Sequence, residues 1–371
     1  MKKNKKKEIV EKKPFEVDEE FLDVADAILT TIDNYRYFTI KPVKETAYKN
    51  LKMKELVQLF EDENFYKYSK KQICEICTEL VKRLARKIST IPSIIVPNKD
   101  PESNYLMFAE SKTNKIAINF EEFTKRYTEE PHPFLKAENV GIHYLHSIMH
   151  ELYHTLQNYN FYKFLEGMPY EKDTICSTFQ DVLSGTYLME FEDEEDTMTL
   201  YDADLDELNA NMFAAKMMDK FIEKEYFKNP EEVNKIAKYI NALVCDNYSK
   251  EAIRFSKKCY RNNKRVLSRI QELEDKDLVC GNSEFKGQVL LTEEEILVLK
   301  SVYQFVSGLD MKKYQSKMLD EVIRYEQEFS AFALGKTDEE LGFIDEDEPE
   351  DIELEEDENS NENEQEKEPE K

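Results

Sequence analysis

The chain has no tryptophan, only 8 glycines in 371 residues, and no run near the roughly 18 uninterrupted apolar residues that a membrane helix requires. Nothing in it is expected to span a bilayer. Cysteine is scarce as well, at six residues, and no signal-like apolar run follows the basic start MKKNKKKEIVEKK. That usage fits a reducing, cytoplasmic setting better than a disulfide scaffold. Positive charge is in short supply: 52 Lys and Arg stand against 78 Asp and Glu, a net charge of −26. Residues 345–371 account for −14 of it, and the remaining −12 argues against a nucleic-acid surface, which needs clustered cations to release counterions.

What is present is a foldable chain, 40% hydrophobic and 35% charged, large enough for one big domain or two modest ones. Residues 1–13 carry seven Lys and read as a solvated basic arm. From 14 to 69 apolar residues recur at three and four, the helical period, and the pattern runs on to about Ser89. Short extended runs then follow at Ile94–Val96, Tyr105–Ala109 and Lys115–Phe120, with a turn at Ser111–Asn114, so a small sheet is expected. After Pro131 and Pro133, Asn139 is placed to cap a buried helix over Val140–Asn158. A further helix is expected over Asp202–Phe227, ending at Asn229-Pro230. Residues 229–344 read as a C-terminal helical region, and 345–371 lack the apolar residues to order themselves. The fold class is therefore α+β and mostly helical.

The chemistry concentrates on one helix. All five histidines fall between His132 and His154, and His150-Glu151-Leu152-Tyr153-His154 is an HExxH motif. Residues four apart share a helix face, so two imidazoles converge on one metal while the intervening Glu projects beside them. A bound zinc would lower the pKa of its water toward about 7, and Glu151 would take the proton as general base. Such a site hydrolyses peptide bonds, and the expected complement is one Zn2+ per chain.

A catalytic zinc needs a third protein ligand and an open fourth position. No histidine follows His154, and Gln157 and Asn160 stand where the metzincin pattern has Gly and His. The aspzincin pattern fails too, because Leu188 stands where its Asp belongs. A glutamate remains. Glu207 is the best placed, since it opens a strongly helical segment with small Ala210 and Ala214 that permit close approach, and Asn211 one turn on could hold a ligating imidazole. Glu166 and Glu190 are the rivals.

HExxH followed by Glu207, Ala210, Asn211, Phe213 and Ala214 resembles the gluzincin zinc metallopeptidases, specifically the ImmA/IrrE type. The resemblance spans about residues 70–228 and implies a zincin-like core: a helix, a small three-stranded sheet and two ligand-bearing helices. It implies a zinc-dependent endopeptidase with His150, His154 and Glu207 as ligands and a polypeptide substrate. By the same resemblance, the last strand before the active helix, Ile116–Asn119, would pair with extended substrate. The chain departs from the family in a 53-residue step from His154 to Glu207 and in Asn209, where Glu or Gln is usual.

Other residues have lesser roles. Tyr162, Tyr187 and Tyr201 are possible oxyanion partners among which sequence does not choose. Cys74 and Cys77 form a lone CxxC in a helical pattern and read as core cysteines. His143 and His146 share the His150 face and read as packing or supporting residues. A different class of function is a non-catalytic binding protein on the same scaffold, whose acidic tail engages a basic partner.

Overall fold

The computed structural model describes residues 19–100, 105–128, 136–172, 205–245 and 291–308, with positions 174, 175, 178, 261, 264, 265 and 268. The chain divides into two units, Met1–Phe329 and Ser330–Lys371, and all described residues lie in the first. The expected basic arm at 1–13 and acidic tail at 345–371 fall outside them, as do His132, Tyr187, Glu190 and Tyr201. No helix among the described residues is long and apolar enough to cross a membrane.

The fold is α+β and mostly helical. Helices α1 (Glu19–Arg36), α2 (Met53–Gln58) and α3 (Lys70–Lys87) precede strands β1 (Ile94–Pro97), β2 (Met107–Ala109) and β3 (Lys115–Ile118). Then come α4 (Phe120–Thr128), α5 (Val140–Leu165), α6 (Leu205–Glu223), α7 (Pro230–Cys245) and α8 (Glu293–Ser307). Local chemistry sets several boundaries. Ser69 caps α3 through a capping box with Gln72, and Thr292 caps α8 through one with Glu295. The α7 terminus is capped from afar, since the Glu61 carboxylate accepts the Lys228 and Asn229 main-chain N–H groups at 2.8–2.9 Å, with Pro230 at the first helical position.

The helical period expected up to Ser89 is interrupted. Residues 38–46 form no helix, and buried Asn114 binds them by accepting from Lys41 N at 2.6 Å and donating to Lys41 O at 2.9 Å. Helix α4 was not signalled either, because its nine residues merge with the proline-containing stretch that follows. Helix α5 starts where expected, although the Asn139 side chain makes no capping bond, and it runs to Leu165 rather than Asn158. The extra turns are held by aromatic packing: Phe161 lies 4.6 Å from Tyr35 and Phe164 4.8 Å from Phe305, ring centre to ring centre. Gly167, at φ +66°, then ends the helix.

The sheet order is β1-β3-β2, with β1 and β3 parallel and β2 and β3 antiparallel. Ile116–Asn119 is therefore not at an edge, which corrects the assignment of that segment as the substrate strand. The reason lies in its composition: Ile116, Ala117 and Ile118 are all buried, the continuous apolar run of a strand covered on both faces. The two outer strands are β1 and β2, and β2 is the one whose Ala109 main chain meets Glu151.

Helix α5 is the centre of the core. Leu145, Ile148, Met149 and Leu152 are fully buried and share one cluster with α3, the sheet, α6 and α7. Its first turn meets the chain at Phe60 so closely that a Cβ on Gly141 would stand 2.2 Å from the Phe60 carbonyl oxygen. Helices α5 and α6 pack side by side, with Ala210 and Ala214 fully buried and Tyr153 5.1 Å from Phe213, ring to ring.

Candidate metal centre

One turn of α5 separates His150 from His154, and their Nε2 atoms lie 2.9 Å apart. Helix α6 delivers Glu207 to the same point from the other side. Its Oε2 is 3.2 Å from His150 Nε2 and its Oε1 is 3.4 Å from His154 Nε2. Among the described residues these three form the one group of metal-capable side chains, with donor atoms all within 4.8 Å of one another.

The other ring nitrogens decide what the Nε2 atoms can be. His150 Nδ1 meets Asn211 Oδ1 at 2.7 Å, and His154 Nδ1 meets Gln157 Oε1 at 2.7 Å. An amide oxygen only accepts, so each Nδ1 donates, and each neutral ring keeps a lone pair on Nε2. Two lone pairs and a carboxylate thus converge on one point, which is unfavourable unless a cation or proton sits there. Ligands 2.0–2.1 Å from a tetrahedral zinc stand about 3.3 Å apart, close to the 2.9, 3.2 and 3.4 Å found here. Two imidazoles and one carboxylate in a partly solvent-accessible position also match a catalytic rather than a closed structural site. The residues fit zinc.

Glu151 stands beside this group, its carboxylate 3.9 Å from His150 Nε2 and hydrogen-bonded to the Ala109 main chain at the edge of β2. Burial pushes its pKa above the usual carboxylate range, against the pull of His150 and His154. Burial also disfavours charge on Glu207, but His154 and His150 outweigh it and hold that carboxyl well below its usual range. For His154, burial is likewise outweighed by Glu207, which raises the ring to about 10. Both shifts favour a proton held between His154 and Glu207.

His150, Glu151, His154, Glu207 and Asn211 are thus brought together as the sequence predicts. Glu166 is not; it sits at the C-cap of α5. Tyr162 packs 5.8 Å from Phe38, a packing role. His143 joins Tyr127 at 2.9 Å, and buried His146 is likewise outside the metal-capable group. Cys74 and Cys77 are buried free thiols whose pKa values burial pushes up, the state of core cysteines. Sequence reasoning passed over Gln157, Asp206 and the Ala109 main chain. Gln157 was open to detection, since it stands three residues past His154 on the same helix face. No protein-family model, curated protein or solved structure matches this chain.

Proposed function

We propose that the protein is a cytoplasmic zinc-dependent endopeptidase with a zincin-like core of the gluzincin kind, binding one Zn2+ through His150, His154 and Glu207. The observation that carries this reading is the convergence of two Nε2 lone pairs and one carboxylate, with a second, buried carboxylate beside them. When bound, zinc would supply Lewis-acid activation of water and of the scissile carbonyl.

Glu151 is suited to move the proton. Its raised pKa brings it nearer to neutral pH, where a carboxylate can accept a proton from the attacking water and return it to the leaving amine. The Ala109 main chain orients it. A polypeptide substrate is supported by the neighbouring strand. Glu110 N bonds Lys115 O and Asn119 N bonds Leu106 O, both at 2.9 Å, so antiparallel alternation turns the Met107 and Ala109 main-chain groups away from β3. With the Ala109 N–H held by Glu151, the Met107 main-chain groups and the Ala109 carbonyl of that edge can take an extended peptide next to Glu151.

The test uses metal content and peptide-library hydrolysis by the full-length chain. Glu151→Gln should keep its zinc and lose at least about a hundredfold in turnover, as removal of a general base does. Glu207→Ala should lose zinc on dialysis. Full turnover in Glu151→Gln would refute the mechanism.

A further inference from the structure

Gln157 is buried at 2% exposure on α5, and its carboxamide has two unlike ends. The oxygen meets His154 Nδ1 at 2.7 Å. The nitrogen meets two oxygens of one residue, the Asp206 main-chain carbonyl at 3.2 Å and its Oδ1 at 2.9 Å. Asp206 immediately precedes Glu207, and its Oδ1 also accepts from buried Thr178 Oγ1 at 3.4 Å.

We infer that Asp206 and Gln157 form a positioning relay that holds the His154 proton on Nδ1 and so keeps its Nε2 lone pair aimed at His150 and Glu207. The relay rests on the metal reading above and deepens it. Turning the Gln157 amide over would set its NH2 against the imidazole Nδ1–H and its oxygen against the two Asp206 oxygens. Both donations to Asp206 would be lost, one of them to a charged acceptor, and the buried Gln157 oxygen would face two acceptors. The amide is therefore locked with its oxygen toward His154. Against an oxygen, Nδ1 must be the protonated nitrogen, and only that tautomer leaves Nε2 free to bind a metal.

The two ligating rings are thus held differently. His150 is gripped directly from the facing helix by Asn211. His154 is gripped from its own helix, with a carboxylate of α6 behind the grip. The first turn of α6 then supplies both the Glu207 ligand and the anchor that prepares His154 for the same ion. Gln157 and Asp206 act through His154 and are positioning residues.

The experiment is zinc affinity of the full-length chain by chelator competition, which needs no substrate. Gln157→Leu should weaken binding about 10–100-fold, the effect of losing the partner of a metal-bound histidine. Asp206→Ala should also weaken it, but should add less than about twofold in the Gln157→Leu background, because both act along one path. The isosteric pair Gln157→Glu with Asp206→Asn keeps an acceptor for His154 Nδ1 and exchanges donor and acceptor at the side-chain contact, although the main-chain carbonyl of residue 206 then has no donor from position 157. It should bind zinc more tightly than either Gln157→Glu or Asp206→Asn alone, a rescue that a packing role does not give. If Gln157→Leu fails to fold, the Asp206→Ala loss and the rescue in the isosteric pair carry the test. Unchanged affinity in Gln157→Leu, or an Asp206→Ala loss equally large without Gln157, overturns the relay and leaves the metal site standing. A wild-type chain that takes up no zinc overturns the metal reading and the relay with it.

Discussion

His143 makes the stability of this fold sensitive to acid. It is buried at 6% exposure between Tyr127, whose hydroxyl meets its Nδ1 at 2.9 Å, and the edge of Phe123. Burial, with His146 and Arg126 nearby, lowers its pKa to about 3. An unfolded chain protonates this ring near pH 6.5, so below that pH the unfolded state binds the extra proton and gains stability relative to the fold. The penalty is absent above about pH 7 and grows by about 1.4 kcal/mol per unit from 6.5 toward 3, reaching about 2 kcal/mol at pH 5. His143→Gln keeps a partner for Tyr127 and has nothing to titrate. Urea unfolding of both proteins between pH 7.5 and 5 isolates the term, because the other titrating groups are shared. The gap in stability should move in favour of the variant by about 2 kcal/mol over that range. A gap that stays constant to within about 0.5 kcal/mol would refute the claim that His143 is buried neutral.

Three further outcomes follow from the geometry. Asn211→Leu should weaken zinc binding about 10–100-fold, measured by chelator competition, while leaving the melting temperature of the metal-free protein nearly unchanged. Gly141→Ala should destabilise by about 3 kcal/mol in chemical unfolding, the upper end for overpacking, because the added carbon meets main chain rather than a mobile side-chain end. Zinc must displace the proton that Glu207 holds on His154, so affinity should rise about tenfold per pH unit between 7 and 9 from this group. Equal affinity at pH 7 and pH 9 would contradict a protonated pair.

The candidate ligand set was legible because each member obeys a short-range rule. His150 and His154 are joined by helical spacing, and Glu207 and Asn211 by the same four-residue step on α6. The sheet order was not legible, since strand pairing is decided by packing across many residues of chain. Even so, Lys115–Ile118 carried a clue: an uninterrupted Ile-Ala-Ile run belongs to a strand with both faces covered, whereas Met107–Ala109 has one buried residue and two half-buried ones. The non-helical stretch at 38–46 was hidden for another reason. It is bound by partners distant in sequence, Lys41 by Asn114, Thr39 by Lys112 and Thr46 by Glu79, and no local propensity reports that.

The 53-residue step between His154 and Glu207 looks at first like an argument against this ligand. Energetically it is a weak one. Closing a flexible connection costs only about 0.6 kcal/mol more for each doubling of its length, and burying one additional methylene contributes about 0.8 kcal/mol. The contact between α5 and α6 far exceeds that: Ala210, Ala214 and Met218 are buried to 1% exposure or less, and Tyr153 lies against Phe213. Helix packing, not the length of the connection, therefore determines where the Glu207 carboxylate stands. The small residues at 210 and 214 set how closely the two helices approach, and that separation lets one carboxylate reach both imidazoles at 3.2 and 3.4 Å. The small-residue face of α6, rather than spacing along the sequence, fixes where the Glu207 carboxylate stands.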